Sequence, residues 1–254
     1  MVCVRDVMAK IEQLAPTNLA ESWDNVGLLV GSDGKQVERI MVMLDADVDT
    51  IDEAIANNVD LIVTHHPVLI KPINKITDDK LIKLIKNDIS LYSAHTNLDS
   101  ANGGVNDVLA QKLGLDNISN FTLVENSELL GRIGEISECT LGEFIKTVKT
   151  ALNCEFIKYV GDKSKIIRKV GVCGGGGADF IAMANNSGCD VYVTGDVKYH
   201  QAQLANEMGL CVIDAGHFET ENIICSVLAD YLQDMFKEIE VLTSNRKESY
   251  LKYE

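Results

Sequence analysis

The chain has 254 residues, 46% of them hydrophobic, and a formal net charge of −15. This length suits one large domain or two ordinary ones, with enough apolar residues to fill a sizeable core. The negative charge disfavours nucleic acid and anionic membranes as partners, and no apolar run approaches the roughly twenty residues of a membrane span. The first seven residues carry charges where a signal peptide needs an apolar stretch, so we expect a cytoplasmic protein.

The first half of the chain predicts alternating strands and helices. Strands are predicted over 27–30, 37–45, 60–64 and 89–94, and helices over 2–14, 50–57, 78–87 and 105–113. Continuous apolar strands separated by helices indicate a parallel α/β sheet. Ligands of such sheets bind beyond the carboxyl ends of the strands.

A predicted turn at Trp23, Asp24 and Asn25 precedes the strand over 27–30. Residues of these polar types favour tight turns. Two interpretations stay open, a structural turn with a packed indole and a loop near an active site.

A second α/β unit is predicted from about residue 120 onwards. Its strands are predicted over 121–124, 131–136, 155–161, 167–173, 190–194 and 210–216, and its helices over 140–152, 198–208 and 218–237, with another ending near 185. With a boundary near 120–127, residues 1–125 and 211–254 are expected to form a metal-binding α/β domain closed by the C-terminal segment. Residues 126–210 are expected to form the second α/β domain. The sheets are expected to be mainly parallel or mixed. No internal repeat is evident at a short period.

Four glycines, Gly174 to Gly177, follow the strand over 167–173. A glycine-rich turn before a helix offers backbone donors to anions. The chain has neither the G-x-x-x-x-G-K-[ST] spacing nor the G-x-G-x-x-G spacing, followed about twenty residues later by an acidic residue, that phosphate-binding turns show. The run therefore favours a tight strand-to-helix turn that lets the backbone approach a site.

Cysteine and histidine are distributed differently along the chain. The seven cysteines are scattered without a C-x-x-C pair, which predicts buried free thiols in a reducing compartment and no cysteine-based zinc site. The five histidines all lie at or just beyond the end of an apolar run, or in a turn that opens a helix. They are His65, His66, His95, His200 and His217.

The histidine pair after the strand over 60–64 predicts a two-metal site. Side chains of neighbouring residues diverge, so His65 and His66 favour two ions over one. Asp99 and Glu221 follow a histidine by four residues, which is one helical turn. Two ions about 3.5–4 Å apart are typical of two-metal hydrolysis, and mixed imidazole and carboxylate ligands suit Zn, Fe, Mn, Co or Ni.

Two histidines have a second interpretation. His95 and His200, each considered alone, are equally typical of residues that form hydrogen bonds at the surface or orient a metal ligand.

Through six motifs the chain resembles the NIF-three-like proteins, also named GTP cyclohydrolase I type 2 homologues. The motifs are ESWDNVGL (21–28), THHP (64–67), AHTNLD (94–99), VCGGGG (172–177), TGDVKYH (194–200) and AGHFETE (215–221), and they span nearly the whole chain. The resemblance implies two α/β domains, a dinuclear metal site in the cleft between them and a toroidal homohexamer. The implied metal ligands are His65, His66, Asp99, His217 and Glu221. The short distance from 120 to 167 indicates a form without the domain inserted in longer relatives.

The resemblance and the ligand pattern together predict a dinuclear-metal-dependent hydrolase of GTP cyclohydrolase type. In such an enzyme a metal-activated water attacks a purine or another small heterocycle, and Glu221, His95 or His200 moves the proton. The alternative is a protein for metal storage, delivery or sensing, or a platform for protein partners.

A nucleotide substrate would need local cations in so acidic a chain. Lys71, Lys75, Arg132 and Lys198 are the candidates by position.

Overall fold

A computed structural model describes residues 1–121, 130–246 and 248–252. The chain forms two compact units. Unit 1 comprises Met1–Asn102 and Ile224–Lys247, and unit 2 comprises Gly103–Ile223 and Glu248–Glu254. No helix among the described residues is both long and apolar enough to cross a membrane.

The predicted elements before residue 103 are present in the predicted order, with ends within two residues of those predicted. The elements of this part of the chain are α1 (Val4–Leu14), a 3-10 helix (Thr17–Leu19), β1 (Gly27–Val30), β2 (Arg39–Met43), α2 (Val48–Ala56), β3 (Leu61–Thr64), α3 (Asp79–Lys86), β4 (Ser90–Ser93) and α4 (Thr96–Ser100). Helix α2 begins at a capping box, in which the Asp47 carboxylate accepts from the Thr50 amide and the Thr50 hydroxyl faces the Asp47 amide. Helix α4 was not predicted.

The elements from residue 103 onwards include two unpredicted strands. They are α5 (Val105–Lys112), β5 (Asp116–Asn120), β6 (Arg132–Thr140), α6 (Leu141–Leu152), β7 (Lys158–Val160), β8 (Ile166–Val172), a 3-10 helix (Gly177–Phe180), α7 (Ile181–Asn186), β9 (Val191–Thr194), α8 (Tyr199–Met208), β10 (Cys211–Asp214), α9 (His217–Glu221), α10 (Ile223–Met235) and β11 (Glu240–Thr243). The helix predicted over 218–237 is two helices, because the chain turns at Asn222. Of the strand predicted over 121–124, all but Phe121 lies outside the described residues.

Unit 1 contains a mixed sheet with the order β1-β4-β3-β2-β11. Strands β11, β2, β3 and β4 are parallel, and β1 is antiparallel to β4. Met43 pairs with Thr64, and Thr64 pairs with Ser93, so three strands end in register at one edge. The segments after these ends carry Asp45, the His65-His66 pair and His95.

Unit 2 contains a mixed sheet with the order β5-β6-β8-β9-β10-β7. Its central strands β8, β9 and β10 are parallel, and the others are antiparallel to their neighbours. One hydrophobic cluster contains Val191 and Val193, and another contains Tyr192. Because successive side chains of a strand point to opposite faces, both faces of this sheet are covered, which explains the uninterrupted apolar strands.

The two units repeat one arrangement of three parallel strands with a helix after each of the first two. In unit 1 the Asp60 carboxylate accepts from the amides of residues 38 and 39 at 2.8 and 3.0 Å. In unit 2 the Asp190 carboxylate accepts from the amides of residues 168 and 169 at 2.9 and 2.8 Å. In both units a short helix carrying a carboxylate follows the third strand, so Asp99 and Glu221 occupy equivalent places.

The boundaries of the units differ from the predicted domains of 1–125 with 211–254 and 126–210. Strands β5 and β10 pair within the sheet of unit 2, so this unit begins before residue 116 and extends beyond residue 211. Helix α10 and strand β11 belong to unit 1 apart from Ile223, because β11 pairs with β2.

Candidate metal centre

Three histidines meet at the carboxyl edge of the unit 1 sheet. His65 and His66 follow β3 and His95 follows β4, and the hydroxyls of Thr64 and Ser93 hold the two strand ends together at 2.6 Å. One ring nitrogen from each histidine lies within 4.8 Å of the others. This spacing is suitable for metal ligands, and it follows from the register of two neighbouring parallel strands.

Each of these histidines is oriented by a hydrogen bond at Nδ1. The partner of His65 is the carbonyl oxygen of Ala94 at 2.9 Å, and that of His66 is a carboxylate oxygen of Asp45 at 2.7 Å. His95 Nδ1 lies 2.9 Å from Asp24 Oδ1. A neutral ring that donates from Nδ1 presents its lone pair at Nε2, and metal-binding histidines in proteins are oriented in this way.

Asp99 adds a carboxylate to this edge. It lies in α4 and is buried, and its Oδ1 is 3.6 Å from His65 Nε2. With Nδ1 of His65 donating to a carbonyl, this Nε2 and the carboxylate oxygen are both electron-pair donors. A cation beside both atoms would satisfy them together, so the donor set fits a metal ion.

Unit 2 has its own histidine–carboxylate pair, with the predicted spacing of four residues. His217 Nε2 lies 2.9 Å from Glu221 Oε2, and His217 Nδ1 lies 2.7 Å from Asp196 Oδ2. Glu221 is buried, whereas His217 is partly exposed. With Nδ1 donating to Asp196, His217 Nε2 and the Glu221 carboxylate face each other as two electron-pair donors, and a cation beside both atoms would satisfy them together.

The glycine run brings its backbone against this pair, as the sequence favoured. A Cβ on Gly175 would lie 1.9 Å from Glu221 Oε1 and 3.1 Å from His217 Nε2. The Thr220 hydroxyl accepts from the Gly175 amide at 2.9 Å and donates to the Gly216 carbonyl at 2.8 Å. Thr220 therefore joins the glycine turn to α9, a role that the sequence did not predict.

Asp24 is the most consequential residue that the sequence left unassigned. Its side chain is fully buried and accepts from the Thr96 amide at 3.0 Å, from the Thr96 hydroxyl at 2.5 Å and from His95. Burial acts to raise the pKa of the Asp24 carboxyl, but the hydrogen bonds from His95 and Thr96 outweigh it and hold that pKa well below its usual range. The loop over 23–25 thus orients the His95 ring, and the second interpretation, a loop near an active site, stays a prediction. The first interpretation included a packed indole, which is wrong. Trp23 is 58% exposed, and its ring meets the His95 ring only edge to face.

The other residues singled out by the sequence have different surroundings. His200 is exposed at the start of α8, its ring 5.5 Å from that of Tyr199, and it belongs to none of the metal-compatible groups found among the described residues. Lys71 and Lys75 are exposed on the loop after β3. Arg132 is 1% exposed and paired with Asp107, so its charge is not available to a substrate from solvent.

Comparison with known proteins identifies the family. The model of the Duf34/NIF3 family (NGG1p interacting factor 3) matches residues 2–249. A Clostridium acetobutylicum relative named GTP cyclohydrolase 1 type 2 homolog is 44% identical over 229 residues, which cover 86% of this chain and 85% of the relative. The crystal structure of a Bacillus cereus protein related to NIF3 superposes with a TM-score of 0.93 at 26% identity, covering 100% of this chain and 99% of that one. The chain therefore belongs to the Duf34/NIF3 family, as its motifs indicated.

A longer relative supports the short form. The Bacillus subtilis protein of the same name is 27% identical in an alignment of 327 residues, which covers 84% of this chain and 88% of the relative. That alignment is longer than the 254 residues of this chain, so the relative contains segments that this chain lacks.

Proposed function

We propose that this protein is a metal-dependent hydrolase that opens carbon–nitrogen bonds in a small heterocyclic substrate. The observation that carries this proposal is the hydrogen bonding of Nδ1 in His65, His66, His95 and His217, which orients each ring for a ligand at Nε2. The name GTP cyclohydrolase 1 type 2 homolog, which several relatives carry, supports a purine nucleotide as substrate.

Five residues are proposed to hold two divalent ions, namely His65, His66, Asp99, His217 and Glu221. The histidines provide nitrogen ligands, and a carboxylate has two oxygens with which to bridge a pair of ions. The donors suit Zn, Fe, Mn, Co or Ni. Bound ions of this kind lower the pKa of water towards neutrality and polarise the bond under attack.

His95 is proposed to accept and return a proton at Nε2. Its Nδ1 is held by the buried Asp24 carboxylate, which stabilises the imidazolium that forms when Nε2 takes up a proton. Glu221 is the alternative proton carrier because its carboxylate adjoins His217 Nε2 at 2.9 Å. Among the described residues none forms a hydrogen bond with the His200 ring, so we assign it no proton transfer.

Metal content and hydrolysis test the proposal together. The protein would be loaded with each candidate metal and assayed against nucleotides and small cyclic amides. We expect His65→Ala and Asp99→Ala to lose metal by mass spectrometry and at least 100-fold in turnover, a magnitude within the range for loss of a catalytic group. The exposed Asp230 is the matched control, because Asp230→Ala removes a carboxylate that belongs to none of the metal-compatible groups found among the described residues. Retained metal and retained activity in both ligand variants would contradict the proposal.

Metal storage, delivery or sensing predicts a different outcome from the same ligands. A delivery protein transfers its ion to an apo-acceptor, whereas a hydrolase retains its ions through many turnovers. Rapid transfer to a chelating acceptor, with no hydrolysis of any substrate tested, would favour this alternative.

The assembly and location of the protein are further parts of the proposal. We propose a toroidal homohexamer in the cytoplasm, with a small-molecule substrate and no nucleic-acid or membrane partner. Light scattering coupled to size-exclusion chromatography tests the assembly, because a hexamer of 27.8 kDa chains is readily separated from smaller oligomers.

A further inference from the structure

A small cavity in unit 2 has the composition of an aromatic-ligand site. It lies among β7, β10 and the start of α8, with a volume of about 240 Å³. Valine and alanine side chains form part of its lining, and five polar residues form the rest. The polar residues are Lys158, Tyr159, Lys198, Tyr199 and Asp214.

The two tyrosines present unusually open rings. Tyr199 is 81% exposed and Tyr159 is 43% exposed. Aromatic side chains usually bury much of their surface. Exposed rings at the wall of an apolar cavity are typical of sites where a planar ligand stacks, and stacking on an aromatic residue is tolerant of the base involved.

The cavity lining carries two lysines and one carboxylate, a positive balance in a chain whose net charge is −15. Lys158 is compensated by the buried Asp214 carboxylate at 2.6 Å. In the described part of the chain no carboxylate lies within ion-pair distance of Lys198 Nζ. Outside the lining, Lys163 Nζ lies 5.0 Å from the centre of the Tyr159 ring. An anionic group on the ligand would complement Lys198.

Hydrogen bonds connect the cavity to the histidine–carboxylate pair of unit 2. The Asp214 carboxylate, in the cavity wall, accepts from the Val197 amide at 3.0 Å and from the Gly216 amide at 3.2 Å. Gly216 directly precedes His217, and Val197 directly follows Asp196, the Nδ1 partner of His217. A ligand in the cavity would thus lie beside the loops that position His217.

We propose that this cavity binds the ring of an anionic aromatic heterocycle, of the class of a nucleoside monophosphate, by stacking on Tyr199 and pairing its anion with Lys198. The volume accommodates a single ring system and lies below the roughly 300–1,000 Å³ of drug-sized pockets. The assignment of this ligand as substrate rests on the proposed function. Binding itself does not, because all the residues concerned belong to unit 2 and none is a proposed metal ligand.

Calorimetric titration of the full-length protein with GMP, guanosine and inorganic phosphate tests the site. We expect GMP to bind more tightly than guanosine, and phosphate alone to bind at least tenfold more weakly than GMP. Tyr199→Ala should weaken GMP and guanosine about tenfold, in the range for loss of one stacking residue. Lys198→Gln should weaken GMP to the level of guanosine and leave guanosine unchanged.

Matched controls separate this site from general surface effects. Tyr250→Ala and Lys237→Ala remove an exposed tyrosine and an exposed lysine that do not line the cavity, and both should bind GMP as the parent does. Circular dichroism checks folding, and because Tyr199 and Lys198 are exposed their replacement should not alter it.

Three results would overturn the inference. They are no GMP binding at millimolar concentration, affinities unchanged in both variants, or a Tyr199→Ala variant whose only change is in oligomeric state, since the tyrosines would then serve contact between copies. Titrations after chelator treatment keep the two proposals distinct. GMP binding that persists after chelation, with no hydrolysis by the metal-loaded protein, upholds the cavity and counts against the hydrolase. Hydrolysis by the metal-loaded protein that neither variant changes counts against the cavity as the substrate site and leaves the hydrolase standing.

Discussion

Gly175 shows how closely the backbone of unit 2 approaches its ligand candidates. It has a φ of +62°, a conformation that residues with a Cβ rarely adopt, and it faces the Glu221 carboxylate. A side chain here would meet a buried carboxylate that has little room to move. The glycine therefore keeps Glu221 beside His217.

Gly175→Ala is expected to displace Glu221 and lower metal affinity by at least tenfold. The added Cβ would lie 1.9 Å from Glu221 Oε1, a distance at which atoms overlap. Gly176→Ala is the control, because a Cβ there has no neighbour within 4 Å and φ is −81°. Metal titration of both variants measures the effect, and equal affinities would show that Glu221 is not a ligand.

Asp24→Asn is expected to destabilise the protein by about 1–3 kcal/mol, the cost of leaving buried hydrogen-bonding groups without partners. The Asp24 carboxylate accepts from the Thr96 amide and hydroxyl and from His95. An asparagine has one acceptor oxygen, and its NH2 group would face donors. Urea unfolding measures the change, with Asp33→Asn at an exposed position as control. Equal loss in both variants would contradict a specific role for Asp24.

The sequence predicted the donors better than it predicted what orients them. Histidines at strand ends and carboxylates four residues later are local patterns, so His65, His66, Asp99, His217 and Glu221 were identifiable as ligand types. Asp24 and His95 are in contact although 71 residues separate them in the sequence, and Asp45 and His66 are in contact although 21 residues separate them. Such pairs depend on tertiary packing, which local patterns do not encode.

Helix α6 begins within one residue of the start predicted at residue 140. Thr140 accepts from the Glu143 amide at 3.2 Å, and the Glu143 carboxylate accepts from the Thr140 amide at 2.8 Å, forming a reciprocal cap. A cap of this kind needs only residues three apart, so a single sequence reveals it.

Thr140→Ala is expected to lower the free energy of unfolding by about 1 kcal/mol, the usual cost of losing an N-cap side chain. Thr147→Ala, at an exposed position inside the same helix, is the matched control and should have less effect. Thr140→Ser should retain most of the stability because serine caps as well as threonine does. Urea unfolding of the three variants checks this, and similar values for Thr140→Ala and Thr147→Ala would contradict it.

Short strands at sheet edges were the elements that the sequence missed. Strand β5 has a largely polar, exposed sequence, and β11 is only four residues long. Neither shows the alternation or the long apolar run that marks a strand. Pairing with a neighbouring strand of the sheet stabilises each of them as a strand. The predicted domain boundaries differ from those of the two units for the same reason.

At the scale of the whole molecule, stability at alkaline pH depends on buried thiols. Burial raises the pKa of Cys154 to about 11 and that of Cys189 to about 11, and both lie in unit 2. In an unfolded chain a thiol ionises at about pH 8.5. Above that pH the unfolded state releases these protons first, and the folded state loses relative stability as the pH rises to about 11.

The free energy of unfolding should therefore fall between about pH 8.5 and 11, by up to about 3 kcal/mol for each thiol at 1.36 kcal/mol per pKa unit. Replacing both Cys154 and Cys189 by alanine should flatten this part of the curve, whatever the cavities cost at neutral pH. Cys3→Ala, which removes a partly exposed thiol, is the control for loss of a thiol outside the core. Urea unfolding across this pH range measures the slopes, and identical slopes in all variants would exclude the buried thiols as its cause.

The insertion of unit 2 within unit 1 has a consequence for the order of synthesis. All strands of the unit 2 sheet lie between residues 116 and 214, whereas the unit 1 sheet requires β11 at Glu240–Thr243. At roughly 5–20 residues per second, the ribosome completes the inserted sheet before it supplies the last strand of the enclosing one. Until β11 emerges, the apolar edge of β2 lacks its partner strand, and an open edge of this kind invites pairing with another chain. The nascent protein is thus most prone to aggregation after the first segment of unit 1, Met1–Asn102, has been made and before the second, Ile224–Lys247, has emerged.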